Sequence, residues 1–341
     1  MVTANSTQIQ VPTSNKLVVR GSIAATLTGD EKEQAFQTLT LELMKKYGKD
    51  IVAFAADIEP RQKISTGLEA LDEIIGGGIA AGSLIEIYGG EGVGKTALAM
   101  YLLGRMATGV YVDVEHKYSE TYARVFDVNP STPVISPVYM EDIWEQMNEY
   151  AAMGVGMIVL DSMAAQVPIK EQQEQDASKV AGVSMVAGFM SKKLMPLLNI
   201  CYRTGTILVF LNQPRDNINA VRWGEQRHTP GGHAPKHYAM LRVELTRVGY
   251  HKYEEKELKQ PFGLQMAVTV KKSNVSAPLG VAEIELVYER GFTDDPYQVT
   301  TWKKELLEEL IDAGKIKAKR AKKGSTLVEP DKPGVTITEE I

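Results

Sequence analysis

The sequence predicts an α/β fold, with a central, mostly parallel sheet flanked by helices on both faces. An N-terminal helix and a small C-terminal region are attached to it. Three observations carry this expectation. From Ile64 to about Val287, short apolar runs alternate with helix-length segments, as in a sheet whose parallel strands are joined by covering helices. Four runs stand out, at Leu84 to Tyr88, Val110 to Val114, Met157 to Leu160 and Ile207 to Leu211, and polar or glycine residues follow each of them. The first run also opens directly into a glycine-rich turn and then a helix-forming stretch. In open α/β sheets ligands lie beyond the carboxyl ends of the strands, so the residues after the four runs are where chemistry is expected.

Composition agrees with a folded, water-soluble chain. Of 341 residues, 44% are hydrophobic and 24% charged, which excludes a fibrous or largely disordered protein. The 38 Lys and Arg against 43 Asp and Glu leave a formal charge of −5, which by itself argues mildly against a nucleic-acid partner, although a total hides clustering. Cys201 is the only cysteine, so neither an intrachain disulfide nor a cysteine-built zinc site can form. No run approaches the roughly 20 apolar residues that span a bilayer, and the first fifteen residues lack the pattern of a secretory signal. A cytoplasmic protein without a membrane partner is expected.

Taken in order, residues 1–30 are rich in Thr, Ser, Asn and Gly and read as a loose arm. A helix follows, with Asp30 as cap, Glu33 at the capping-box position, and Phe36, Leu39, Leu43 and Tyr47 on one face before Gly48. That face packs either on its own domain or on a neighbouring subunit. The expected division is 1–60 for the arm and helix, 61–290 for the core, and 291–341 for the C-terminal region. The last contains a helical stretch from Trp302 to Ala313, a basic run of Lys315, Lys317, Lys319, Arg320, Lys322 and Lys323, and an acidic tail.

The turn after the first run reads Gly89-Gly-Glu-Gly-Val-Gly-Lys95-Thr96, a phosphate-loop pattern between a strand and a helix. Gly89, Gly90, Glu91, Gly92, Val93, Gly94, Lys95, Thr96 and Ala97 are therefore the candidate nucleotide-binding residues. The glycines let backbone N–H groups face the phosphates, Lys95 can reach the β and γ oxygens, and Thr96 can hold Mg²⁺. Asp161, after the third run, is either a second Mg²⁺ ligand or a helix N-cap. Glu115, after the second, is either the base that activates water or a solvated loop carboxylate. Asn212 and Gln213, after the fourth, are a γ-phosphate sensor or ordinary loop amides. The residues alone give a Mg²⁺-dependent NTPase and leave the base open.

Ordered along the chain, Ser65-Thr-Gly-Leu-Glu-Ala-Leu-Asp72, the phosphate loop, Asp113-Val-Glu-His116, Tyr122-Ala-Arg124, Leu160-Asp-Ser162 and Leu211-Asn-Gln-Pro-Arg215 closely resemble the RecA recombinase family of bacteria and their viruses. The resemblance runs from about Glu31 to Asp295. It implies a RecA-like P-loop ATPase core with an N-terminal oligomerisation helix, and ATP and Mg²⁺ as cofactors. It further implies Glu115 as the catalytic carboxylate, Tyr122 as the ring stacked on adenine, and Gln213 as the link from the γ-phosphate to DNA. In this family ATP lies between subunits. Lys272 then fits one of the neighbour's lysines, while Asn274 stands at the other position and Lys271 is extra, so which lysine acts is left open. Ser119 replaces the Asp expected beside adenine.

The same resemblance implies single-stranded DNA and homologous duplex DNA as partners, a helical filament, and contacts with other recombination or replication proteins. It places the chain at the nucleoid or, if virus-encoded, in the host cytoplasm. Pro214 to Pro230 combines Arg215, Arg222 and Arg227 with Ile218 and Trp223, and ends at Gly231 and Gly232. Cations for phosphates interleaved with apolar wedges for bases suit single-strand binding. Trp223 is alternatively a packing anchor. The polar stretch from Gln172 to Val183 is either a first DNA loop or a solvated connection. The basic run is either a duplex-binding element or a solvated tail. A rival reading is a ring-shaped DNA motor or regulatory ATPase of the same fold.

Overall fold

The structure is a computed structural model and describes residues 28–49, 51–169, 182–216, 227–255, 258–313 and 315. The chain divides into two compact units, Met1–Arg61 and Gln62–Ile341.

In the first unit, helix α1 (Gly29–Tyr47) starts two residues earlier than expected. Its cap is Thr28, whose backbone N–H donates to Glu31 Oε2 at 2.9 Å. Asp30 and Glu33 therefore lie inside the helix. None of its residues is buried within the described structure, and Phe36 and Tyr47 are well exposed. A 3₁₀ turn spans Ala55–Asp57.

The second unit is built on a nine-stranded sheet. In chain order its elements are β1 (Lys63–Ile64), α2 (Glu69–Ile74), β2 (Ile79–Ala80), β3 (Leu84–Gly89), α3 (Lys95–Gly104), β4 (Gly109–Asp113), α4 (Glu120–Val125), β5 (Val134–Ile135), α5 (Met140–Ala152), β6 (Met157–Asp161), α6 (Gly182–Thr204), β7 (Ile207–Asn212), β8 (Arg215–Asp216), β9 (Arg227–His228), α7 (Ala234–Tyr238), β10 (Leu241–His251), β11 (Gly263–Ser273), β12 (Val281–Val287), β13 (Gly291–Thr293) and α8 (Pro296–Asp312). The large sheet runs β13-β12-β11-β10-β3-β7-β6-β4-β5. Strands from β10 to β5 pair in parallel, and β10 to β13 form an antiparallel wing. The four expected runs are β3, β4, β6 and β7, neighbours at the centre.

Alternation along these strands builds two cores. Ile85, Ile87, Val209 and Leu211 face α3, whose Leu98, Leu102 and Leu103 are buried. Leu84, Leu208 and Phe210 face the opposite side, where Trp144 and Met147 of α5 and Leu194 and Leu197 of α6 cover them. Both faces are dry, so the central strands read as nearly unbroken apolar runs. Pro196 sits inside α6, as the sequence places it.

The division at 290 falls within this unit. Gly291–Thr293 pairs with β12, and Val299 and Leu306 of α8 pack with Phe262 and Val287. Helix α8 also begins earlier than Trp302, because Asp295 accepts the N–H of Tyr297 at 2.8 Å and caps it. Of the basic run only Lys315 lies among the described residues.

Candidate nucleotide and DNA site

Strand β3 ends at Gly89, directly opposite Leu245 of β10. A Cβ at Gly89 would stand 2.4 Å from the Leu245 carbonyl oxygen, so this position needs glycine. Gly94 has φ +91° and caps α3 in the left-handed conformation, which turns the loop's backbone onto the helix axis. Lys95 Nζ donates to the carbonyls of Gly89 and Gly90 at 3.1 and 2.6 Å. Burial lowers its pKa, and the carboxylates of Asp161, Glu115 and Glu91 act the other way. An ammonium in this position lacks a full water shell and is placed to donate to phosphate oxygens.

Thr96 Oγ1 donates to Asp161 Oδ2 at 2.8 Å, and Tyr111 Oη donates to the same oxygen at 2.7 Å. Asp161 is the last residue of β6, and Ser162 holds the N-cap position of the short turn that follows, so Asp161 is not an N-cap. Burial raises the Asp161 pKa against the two hydroxyl donors, and burial beside this carboxylate raises that of Tyr111. Thr96 at the start of α3 and Asp161 at the end of β6 present a hydroxyl and a carboxylate oxygen side by side, donors of the kind a hard cation takes. Among the described residues no cluster of three or more His, Cys, Asp or Glu side chains forms a metal site.

Glu115 lies beside this pair. Ser162 Oγ donates to Glu115 Oε1 at 2.5 Å, and Lys117 Nζ stands 2.7 Å from Oε2. The hydrogen bond from Lys117, then that from Ser162, holds Glu115 below the ordinary carboxylate range. The turn is shaped by buried Asp113, which accepts the backbone N–H groups of Lys117 and Tyr118 at 3.0 and 2.8 Å.

A cavity of about 320 Å³ opens beside the loop, lined by residues 92–97 with Tyr122, Leu264, Leu286 and Tyr288. Tyr122 packs edge-on against Phe126 at 5.0 Å, and burial pushes its phenol up to about 12. Tyr288 is a wall that sequence reasoning missed; its signal was an aromatic just after the apolar run of β12. Ser119 caps α4 by accepting the N–H of Tyr122 at 3.3 Å, which accounts for serine there.

At the end of β7, Asn212 and Gln213 separate in role. Asn212 is fully buried and donates to Glu86 Oε1 and to the Pro230 carbonyl, both at 2.9 Å. It is not available to phosphate, whereas the Gln213 side chain is exposed. Lys272 Nζ donates to the carbonyls of Lys236 and His237 at 3.0 and 2.6 Å, at the C-terminus of α7, and Lys271 pairs with Glu244 at 2.8 Å. Burial, then the charge of Arg242, lowers the Lys272 pKa.

The stems of the second loop form a ladder, with Arg215 opposite His228 and Asp216 opposite Arg227. Gly231 and Gly232 follow with φ +96° and +74°; added Cβ atoms would meet Met163 Cε at 2.7 Å and Ala187 Cβ at 2.8 Å. The left-handed backbone favours glycine at both positions, and at Gly232 the fixed Ala187 Cβ adds a packing reason. Ile218, Arg222, Trp223 and nearly all of the first loop lie outside the described residues.

The family described as RecA N-terminal domain matches residues 34–293. Protein RecA of Campylobacter fetus subsp. fetus is 32% identical over 275 residues, covering 78% of each chain. Protein RecA of Rickettsia africae is 34% identical over 284 residues, covering 79% of each. The crystal structure of the RadB recombinase superposes with a TM-score of 0.50 at 19% identity, covering 68% of this chain and 99% of that one, a likeness of fold. With the phosphate loop, the carboxylates at neighbouring strand ends and this match over most of its length, the chain belongs to the RecA family of recombinases.

Proposed function

We propose that this recombinase is a DNA-dependent ATPase that assembles on single-stranded DNA as a helical filament and couples turnover to strand exchange. Homologous pairing and strand exchange are the work of its family. The observation that carries the ATPase reading is the convergence of Lys95, the Thr96–Asp161 pair and Glu115 beside a cavity walled by Tyr122 and Tyr288. The family match also favours the recombinase over the ring-shaped motor or regulator.

In this reading the glycine-loop amides and Lys95 bind the triphosphate of ATP, and the base lies against Tyr122 and Tyr288. Thr96 and Asp161 hold Mg²⁺, which neutralises phosphate charge when bound. Glu115, oriented by Ser162, takes a proton from the attacking water at its carboxylate. Gln213 answers to the γ-phosphate and sets the segment that follows, whose Arg215, Ile218, Arg222, Trp223 and Arg227, with Gly231 and Gly232, serve the single strand. Lys271 or Lys272 completes the ATP site of the next subunit, and α1, with its apolar face exposed, docks on a neighbour. The duplex partner is tested by base pairing. The setting is the cytoplasm; among the described residues no helix is long and apolar enough to cross a membrane.

The test is phosphate release with and without single-stranded DNA, followed by exchange between homologous and heterologous pairs. DNA-stimulated hydrolysis and homology-dependent exchange are expected. Hydrolysis indifferent to DNA, with no preference for homology, would sink the reading.

A further inference from the structure

Three polar side chains meet on the face of the sheet that is otherwise covered by α5 and α6. On β3 the apolar partners Ile85 and Ile87 point to the α3 side, which leaves Glu86 on the other. The same alternation puts Asn212 beside Leu208 and Phe210 on that face, and Arg242 opposite Leu241 and Val243. Glu86 is fully buried. Its Oε1 accepts from Asn212 Nδ2 at 2.9 Å, and its Oε2 accepts from Arg242 Nε at 2.5 Å, across two different strand neighbours. Arg242 is held further by the Tyr88 ring, 5.0 Å from its guanidinium carbon, and reaches Thr229 Oγ1 at 3.5 Å.

The hydrogen bonds beyond these three residues go to both ends of one segment. Asn212 Oδ1 accepts the backbone N–H of Gln213 at 3.0 Å, on the outgoing stem. Asn212 Nδ2 also donates to the Pro230 carbonyl, and Arg242 reaches Thr229, on the returning stem. Glu86 itself stands three residues before Gly89, on the strand that carries the phosphate loop. A buried carboxylate and guanidinium cost desolvation that an apolar trio would avoid; what they supply in exchange is direction, through hydrogen bonds to fixed partners.

We propose that Glu86 is a positioning residue: through Asn212 and Arg242 it clamps both stems of the segment between Gln213 and Pro230 to the phosphate-loop strand. A movement at Gln213 is then delivered to a loop whose two ends are held in register, instead of being lost in slippage of the stems. This rests on the reading of that segment as the DNA-binding loop. Coupling between sites in proteins commonly amounts to about 5–150-fold.

The experiment compares the wild type with Glu86→Gln, which keeps shape and removes the charge, and with Arg242→Lys, which keeps the charge and removes the Nε donor. Basal and single-strand-stimulated phosphate release, affinity for a fluorescent ATP analogue, and hydrogen exchange of residues 211–216 and 227–232 without DNA are measured for each. Glu86→Gln should hold basal turnover and nucleotide affinity within about twofold, lose about tenfold in the ratio of stimulated to basal turnover, and exchange faster at both stems. Arg242→Lys should show the same pattern, more weakly. An unchanged ratio or unchanged exchange at either stem in a folded variant overturns the proposal. If Glu86→Gln does not fold, Arg242→Lys decides it alone. If the wild type shows no stimulation by DNA, the functional reading fails, and exchange at the two stems still decides whether the clamp exists.

Discussion

Lys117 places its ammonium 2.7 Å from Glu115 Oε2 while Ser162 donates to Oε1, so both oxygens of this carboxylate are engaged. The lysine is exposed and the carboxylate half-buried, so the pair works through basicity rather than stability. In its proposed role Glu115 acts as a base only when ionised, so activity is expected to fall as pH drops through its pKa. The ammonium, with Ser162, holds that pKa down. Lys117→Met removes one of the two, raises the Glu115 pKa, and should move the acid limb of the kcat profile to higher pH. Superimposable profiles for variant and wild type would count against this.

Glu115→Gln keeps the hydrogen bond to Ser162 and loses the proton acceptor. Turnover should fall by about 10²- to 10⁴-fold, with ATP and DNA binding retained. Single-turnover phosphate release with parallel binding titrations checks both halves. Normal turnover would remove Glu115 from its role.

Adjacent glycines of the phosphate loop should respond differently to the same substitution. Gly89→Ala drives a methyl to 2.4 Å from a backbone oxygen of β10, whereas at Gly90 the nearest atom is Val93 Cγ1 at 3.8 Å. Gly89→Ala should cost about 1–3 kcal/mol of stability, and Gly90→Ala no more than about 0.5 kcal/mol. Thermal melts of the two unliganded variants decide it; equal losses would refute the packing argument.

Tyr288 supplies one wall of the cavity beside the loop. Tyr288→Ala should weaken ATP binding by about tenfold, consistent with the ~0.5–1.5 kcal/mol of an aromatic pair beyond its burial. KM should rise with kcat nearly held, since Glu115 is not among the residues lining the cavity that Tyr288 walls. A fall in kcat at constant KM would show that the wall does more than hold the base.

The sequence made the four central strands legible because each is dry on both sides and must be apolar, and it made their ends legible because polar or glycine residues break each apolar run. Two overlapping cap signatures, Thr28-x-x-Glu31 and Asp30-x-x-Glu33, satisfy the same rule, and only the backbone path chooses between them. Tyr288 and the Glu86–Asn212–Arg242 contacts were out of reach for a different reason. They join residues 126 and 156 positions apart, and which strands become neighbours is decided by the whole sheet. The shift toward charged residues after 290 marks α8, whose Val299 and Leu306 pack with Phe262 and Val287, a contact that composition does not show.

Cys201 sits fully buried in α6, and burial pushes its thiol up to about 12. Buried and held as the neutral thiol, it is a poor target for maleimides and iodoacetamides. The native chain is therefore already a blank background for site-specific labelling. A cysteine introduced at the solvent-facing Met153 would carry one dye per subunit, and assembly could be followed by light without first deleting a core residue.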